Sequence, residues 1–329
     1  MNKTFTIVAA VSLAFGAAAM AEDADLTIYT YDSFTSDWGP GPAIEAAFEA
    51  ECGCDIALVP AGDGASLLAR LRLEGERSPA DVVLGLDTNL TAMAVEEGLV
   101  APHGLTPPAL DLPIDWSDAH FLPYDWGYFA FVYDAQKVAH PPASFTELAS
   151  SDLDIVIQDP RTSTPGLGLL LWIKQAYGDS AFDVWGSLAP RIVTVTKGWD
   201  EAYGMFLEGE ADMVLSYTTS PAYHLIAEED DSKAAAIFAE GHYMQVEVAG
   251  VVSGSENGQL AREFLTFLLS DAAQSVIPTT NWMYPAITPA GGLPDGFAKP
   301  EGAALLMAPK EAAAVRDAAL DEWLRALSR

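Results

Sequence analysis

The sequence predicts an α/β protein built as two doubly wound lobes with a cleft between them. Three observations carry that prediction. Short apolar runs of strand length alternate with segments of helical periodicity. One extended aromatic stretch, PYDWGYFAFVYD from Pro123 to Asp134, suits a crossover between lobes. Loops dense in hydroxyls and aromatic rings follow directly on the apolar runs, where open α/β sheets place their ligands.

The elements follow in order. Leu26 to Thr30 (LTIYT) reads as a strand that ends at Tyr31-Asp32-Ser33-Phe34. A loop with Trp38-Gly39-Pro40-Gly41-Pro42 leads into a helix from about Ala43 to Glu51, with proline near its start. Ile56 to Val59 is a second strand, Ala65 to Glu74 a helix opened by Asp63-Gly64 and stopped by Gly75, Asp81 to Leu86 a third strand, and Asn89 to Glu97 the next helix. After the aromatic crossover comes a second α/β unit, with a strand over Ile155 to Gln158, the loop DPRTSTPG and an apolar helix from Leu167. A serine or threonine before Pro165 makes an N-cap with proline behind it. Free backbone N–H groups there suit an anion, and a capped helix start without a ligand is the plain alternative.

The stretch from Thr194 to His224 is the most informative. It reads as a strand, a loop carrying Trp199, a helix with Ala202, Tyr203, Phe206 and Leu207 on one face, a stop at Gly209, and a buried strand at Met213 to Leu215. The loop Ser216-Tyr217-Thr218-Thr219-Ser220 follows at once. Gln245 to Val252 is a strand that crosses back, and Leu260 to Leu269 a helix. Pro278 to Pro285 is a loop with exposed aromatic rings, and Pro309 to Leu327 an alanine-rich packing helix. The expected lobes are residues 22–122 with 247–282, and 123–246 with 283–329.

Composition narrows the function classes. Half of the 329 residues are hydrophobic, which is ample for a large core. A net charge of −31 argues against nucleic acid and against anionic membrane surfaces; solubility or a salty environment accounts for the acidity more simply than a cationic ligand does. Lys3, the apolar run Phe5 to Ala19 and Ala19-Met20-Ala21 read as an export signal cleaved after Ala21. Loss of Lys3 with that leader leaves −32. No cysteine stands at the cleavage point, which argues against a lipid anchor, and no later segment carries 18 uninterrupted apolar residues. Cys52 and Cys54, in ECGCD, are expected to form a disulfide in preference to free thiols, since an exported protein keeps such bonds and Gly53 eases the small ring. The five histidines are scattered without a metal-binding spacing, so no metal is expected.

Two α/β lobes, crossings between them and an export signal describe a periplasmic solute-binding protein. The segments YTYDSFTSDWGPGP, LRLEGERSPADVVLGLD, DWGYFAFVYD, QDPRTSTPGLGLLLW, TVTKGWDEAYGMFLEGEADMVLSYTTSPAYH, EGHYMQVEV and TTNWMYP closely resemble the thiamine-binding components of bacterial thiamine importers. The resemblance covers essentially the whole mature chain, less clearly its last 45 or so residues, and includes the Cys52-Gly53-Cys54 motif. It implies a type II periplasmic-binding-protein fold holding thiamine, thiamine monophosphate or thiamine diphosphate between the lobes, without a cofactor. It further implies delivery to an inner-membrane ABC permease with its ATPase. A monomer is expected, as for most binding components of this kind.

Carried over residue by residue, the resemblance places Asp63 and Gly64 on a contact loop, and Ser163 and Thr164 on the loop for the phosphate or hydroxyethyl end. It makes Trp199 a ring contact, puts Tyr217, Thr218, Thr219 and Ser220 in the Tyr-Thr-Thr-Ser segment, and has Tyr31, Tyr223 and Trp282 enclose the rings. Those residue types suit the ligand. An aromatic face attracts the thiazolium cation by about 0.5–2 kcal/mol, depending on desolvation, and the aminopyrimidine stacks on a ring. Asp63 is either the acceptor for the exocyclic amine or a helix cap; Tyr203, Phe129 and Trp172 are expected in the core. Binding is expected at about 1 μM or tighter, on the order of −8 kcal/mol. Two alternatives remain at this point. One is a thiamine-degrading transferase of the same fold, which would need a nucleophilic cysteine in the cleft. The other is a binding protein for another cationic solute, a polyamine or ferric iron.

Overall fold

The computed structural model describes residues 24–297 and 303–328. The leader and its cleavage site lie outside the described residues. A path of eight strands runs β2 (Ile56–Pro60), β1 (Leu26–Thr30), β3 (Val82–Asp87), β10 (His242–Val252), β5 (Phe121–Asp134), β8 (Met213–Tyr217), β6 (Ile155–Gln158), β7 (Ile192–Thr196), with short strands at its margins. The first half is β1 (Leu26–Thr30), β2 (Ile56–Pro60) and β3 (Val82–Asp87), parallel to one another and interleaved with α1 (Gly41–Cys52), α2 (Gly64–Glu74) and α3 (Thr88–Glu96). The short β4 (Val100–Ala101) pairs with the far end of β10.

β5 (Phe121–Asp134) joins the halves. Its first part pairs antiparallel with β10 (His242–Val252), while Phe129 to Tyr133 pairs with β8 (Met213–Tyr217). All of β10 and all but the last two residues of β5 are buried, so the sequence runs near-continuously apolar there. The second half adds α4 (Phe145–Ser150), β6 (Ile155–Gln158), α5 (Thr164–Tyr177), α6 (Ala181–Leu188), β7 (Ile192–Thr196), α7 (Trp199–Leu207), α8 (Ser220–Ala227) and β9 (Lys233–Ala235). β6 is parallel to β7 and β8. The chain closes with α9 (Gly258–Phe267), the single turns α10 (Asp271–Gln274) and α11 (Ile277–Thr280), β11 (Tyr284–Pro285), β12 (Ala304–Leu305) and α12 (Pro309–Leu327). α12 buries Trp323, Ala312 and Ala319 and packs against α3, α5 and α6, so it touches both halves. No helix among the described residues is long and apolar enough to cross a membrane.

The expected elements are present, with informative shifts at their ends. α5 begins at Thr164 rather than Leu167, because Ser163 is its N-cap and Pro165 stands in its first turn. Trp199 opens α7 instead of lying in the loop before it. β8 runs two residues beyond Leu215, since Ser216 and Tyr217 pair with Ala130 and Phe129 of β5; hydroxyl-bearing residues that read as loop complete the ladder. The Pro278–Pro285 segment is α11 followed by β11 rather than open loop. α4, α6 and α8 are short, and their apolar faces are brief enough to pass as loop in the sequence.

Cys52 and Cys54 are bonded to each other. Gly53 between them takes a left-handed φ of 66° as the C-terminal cap of α1, which turns the two sulfurs together.

Candidate functional site

A cavity of about 650 Å³ lies between the halves, a size that suits a small organic molecule. It opens where the sheet positions predict, beyond the carboxyl ends of the strands. Tyr31 follows β1, Asp63 follows β2, Thr164 and Pro165 follow β6, Trp199 follows β7, and Tyr217 and Ser220 bracket the end of β8. Tyr203 from α7, Tyr223 from α8, Glu247 from β10, and Asn281, Trp282 and Met283 after α11 complete the wall.

Aromatic rings hold the shape. Trp199 stacks on Tyr203, with centroids 5.0 Å apart and planes at 26°, and its indole N–H donates to Ser216 Oγ at 2.8 Å. Tyr223 meets Trp282 edge to face at 5.4 Å. Trp282 has a φ of 56°, uncommon for a bulky residue; its backbone N–H donates to the Ile277 carbonyl at 3.1 Å, and that conformation keeps the residue at the cavity wall. Such an outlier at a cavity is a pointer to function. Tyr31 lies over Gly85, where an added Cβ would come within 2.2 Å of the ring; only glycine leaves room for it. Behind the wall, the Tyr203 hydroxyl donates to His224 Nε2 at 2.9 Å, and His224 Nδ1 donates to Glu228 Oε2 at 2.6 Å. Glu228 also accepts from the Tyr223 hydroxyl at 2.8 Å, so one carboxylate steadies both rings.

The charge of the cavity has one sign. Asp63, Asp200 and Glu247 line it, and no lysine, arginine or histidine does among the described residues. Burial pushes the Asp63 carboxyl up to about 6, against the opposing help of Ser163 and the Trp199 N–H. Its Oδ2 accepts from that N–H at 3.3 Å, a contact between the two halves. Asp63 occupies the N-cap position of α2 but makes no side-chain bond to its own helix, so it faces the cavity rather than capping. Burial likewise raises Glu247 to about 7. Its Oε2 accepts from Tyr31 at 3.0 Å and Tyr124 at 2.5 Å, and its Oε1 from Gln245 at 2.6 Å. Tyr217 in turn donates to Gln245 at 2.8 Å. Burial raises Tyr31, Tyr124 and Tyr217 well above the usual tyrosine value, so all three act as donors.

Eight of the twelve expected site residues meet at the cavity: Tyr31, Asp63, Thr164, Trp199, Tyr217, Ser220, Tyr223 and Trp282. The other four do not line it. The Gly64 N–H donates to Thr164 Oγ1 at 3.1 Å, tying α2 to α5; Ser163 is buried beneath Asp63. The Thr218 N–H donates to the Tyr128 carbonyl, and Thr219 is the buried N-cap residue of α8. Tyr203, expected in the core, is buried and also forms wall. The reading of the sequence missed Trp38, Asp200, Glu247 and Asn281. Glu247 had a signal, an acid within the otherwise apolar strand run QVEVAGVV. The disulfide is not part of the lining, and the chain has no other cysteine, so no thiolate faces the cavity.

This architecture, two sheet halves joined by long strands around a cavity, is that of the periplasmic binding proteins of type II. Residues 32–275 match the bacterial extracellular solute-binding proteins. The chain is 55% identical over 308 residues to the thiamine-binding periplasmic protein of Escherichia coli K12, spanning 92% of this chain and 94% of that one. It is 50% identical over 331 residues to the protein of the same name from Brucella abortus, spanning 99% and 98%. The solved structure of a periplasmic thiamin-binding protein superposes with a TM-score of 0.89 at 55% identity, covering 92% and 96%. The chain therefore belongs to the bacterial extracellular solute-binding proteins, and within them to the thiamine-binding periplasmic group, as the sequence segments imply.

Proposed function

We propose that this protein captures thiamine in the periplasm and hands it to an ABC-type permease and its ATPase. One observation carries the reading: the cavity combines several aromatic faces with carboxyls and has no basic side chain among the described residues. Thiamine offers the complement, a permanent cation on one flat ring and a second flat ring that stacks. The kinship with thiamine-binding periplasmic proteins supports the same ligand.

Trp199, Tyr223 and Trp282 face the rings of the ligand, and Asp63 accepts from its exocyclic amine. The hydroxyethyl or phosphate end points to Thr164 at the start of α5, where backbone N–H groups suit an anion. The lobes are residues 22–122 with 247–282, and 123–246 with 283–329; they close on the ligand about the strands that join them. The leader is removed after Ala21, and the mature protein works as a monomer without a cofactor and without consuming its ligand. Equilibrium dialysis against thiamine, spermidine and ferric citrate tests the choice of solute. Retention of thiamine alone is expected; retention of either other solute in its place would overturn the reading.

A further inference from the structure

Three carboxyls lie side by side across the centre of the sheet. Glu247 of β10 is in register with Asp87 of β3 on one side and with Asp125 of β5 on the other. Asp87 and Asp125 are fully buried, and Glu247 is 6% exposed, at the floor of the cavity. Acids directly opposite one another on neighbouring strands repel, and buried like charges at such spacing do not all ionise.

The neighbours decide where charge settles. Asp87 accepts from the backbone N–H and the side-chain amide of Asn89, at 3.1 and 2.7 Å. Asp125 Oδ2 accepts from the Asn281 amide at 2.6 Å, and its Oδ1 is buried without a hydrogen-bond donor. Glu247 receives three donors, from Tyr31, Tyr124 and Gln245. Asp63 and Tyr217 line the same cavity. All of these partners are neutral donors or acids. Burial and the charge of Glu247 hold Asp125 well above the carboxylate range, and Glu247 titrates at about 7. The pair titrates as a unit.

We propose that Glu247 is the anionic partner of the ligand's cationic ring, and that seating the cation drives a proton off the Asp125–Glu247 pair. The inference rests on the thiamine reading and deepens it: the pair makes the cleft select a cation over a neutral molecule of the same shape. A cation within about 4–6 Å lowers a carboxyl by about 1–3 pH units. With burial raising Glu247 to about 7, the pair still holds a proton in part at pH 7, and binding releases a fraction of a proton.

Calorimetric titration of the mature protein with thiamine at pH 7, in PIPES and in Tris, reads this directly, because the buffer takes up the released protons and adds its own heat of protonation. Binding heats that differ between the two buffers in the sense of net proton release are expected. Glu247→Gln should abolish release and weaken binding about tenfold or more, the equivalent of one pH unit of lost interaction. Equal heats in both buffers, or unchanged release in Glu247→Gln, would overturn the proposal while leaving thiamine binding in place. Absence of any binding by the unsubstituted protein would instead remove the thiamine reading, and this proposal with it. The two-buffer comparison on the unsubstituted chain decides the matter even if a variant fails to fold.

Discussion

Trp199→Ala isolates the contribution of one ring. The Trp199 backbone N–H already donates to Asp63 Oδ2, and alanine keeps that bond and starts a helix well. What disappears is the indole: its stack on Tyr203 at 5.0 Å, its N–H bond to Ser216 and its face on the cavity. The stack and the hydrogen bond together are worth about 1–3 kcal/mol of fold stability, which a large domain tolerates. For the ligand, loss of one cation–π face removes about 0.5–2 kcal/mol, and loss of ring packing about 0.5–1.5 kcal/mol more. The sum, about 1–3.5 kcal/mol, corresponds to binding weakened ~5- to ~400-fold. Trp199→Phe keeps a face but not the N–H and should recover most of the loss. Calorimetric titration with thiamine measures both variants. A dissociation constant for Trp199→Ala within twofold of the unsubstituted protein, in a variant that melts normally, would refute the placement of this ring against the ligand.

Three further outcomes follow from the geometry. Replacing Cys52 and Cys54 by serine opens a ring of three residues, so stability should fall by about 1–2 kcal/mol on the loop-entropy estimate, with thiamine affinity unchanged because the bond is remote from the cavity; paired melting and binding curves check it. Gly64→Ala would put a Cβ 2.6 Å from Thr164 Oγ1 and 3.1 Å from the Gly85 carbonyl, so the α2–α5 contact must open and affinity should fall at least severalfold, measured by the same titration. Ligand-free stability should decline between pH 5 and 7.5. Asp63, Asp87 and Glu247 rise on folding to about 6, 7 and 7, so their contribution is complete below about pH 4 and is lost as pH climbs through those values. Buried His242 is lowered from 6.5 and opposes them, its contribution being lost as pH falls, and three carboxyls outweigh one imidazole. Carboxyls held low, such as Asp159 and Asp230, titrate beneath this window. Melting temperature should drop on the order of 5 °C; a rise over that range would contradict the assignment.

The framework was legible because β1 and β6 are short apolar runs, and their ends agree residue for residue with the ladder. Periodicity also located α12 with the same ends. The site was legible where it follows strand ends, as with Tyr31, Trp199 and Tyr217. It was not legible where tertiary pairing decides. Glu247 and Asp125 come into register only when β5 and β10 pair, and each alone looks like a stray acid in an apolar strand. Trp38 and Asn281 reach the cavity from loops whose course no local pattern dictates. The hydroxyls of Ser163, Thr218 and Thr219 show the converse: a loop rich in donors reads as a site, yet these three turn into the protein and do not line the cavity.

The most direct measurement is calorimetric titration of the purified mature protein with thiamine, followed by chromatography of the recovered ligand. One-to-one binding at about 1 μM or tighter, on the order of −8 kcal/mol, with thiamine intact, is the expected result. No heat of binding would contradict the ligand assignment, and thiamine recovered in cleaved form would show that the cleft performs chemistry on its ligand rather than carrying it.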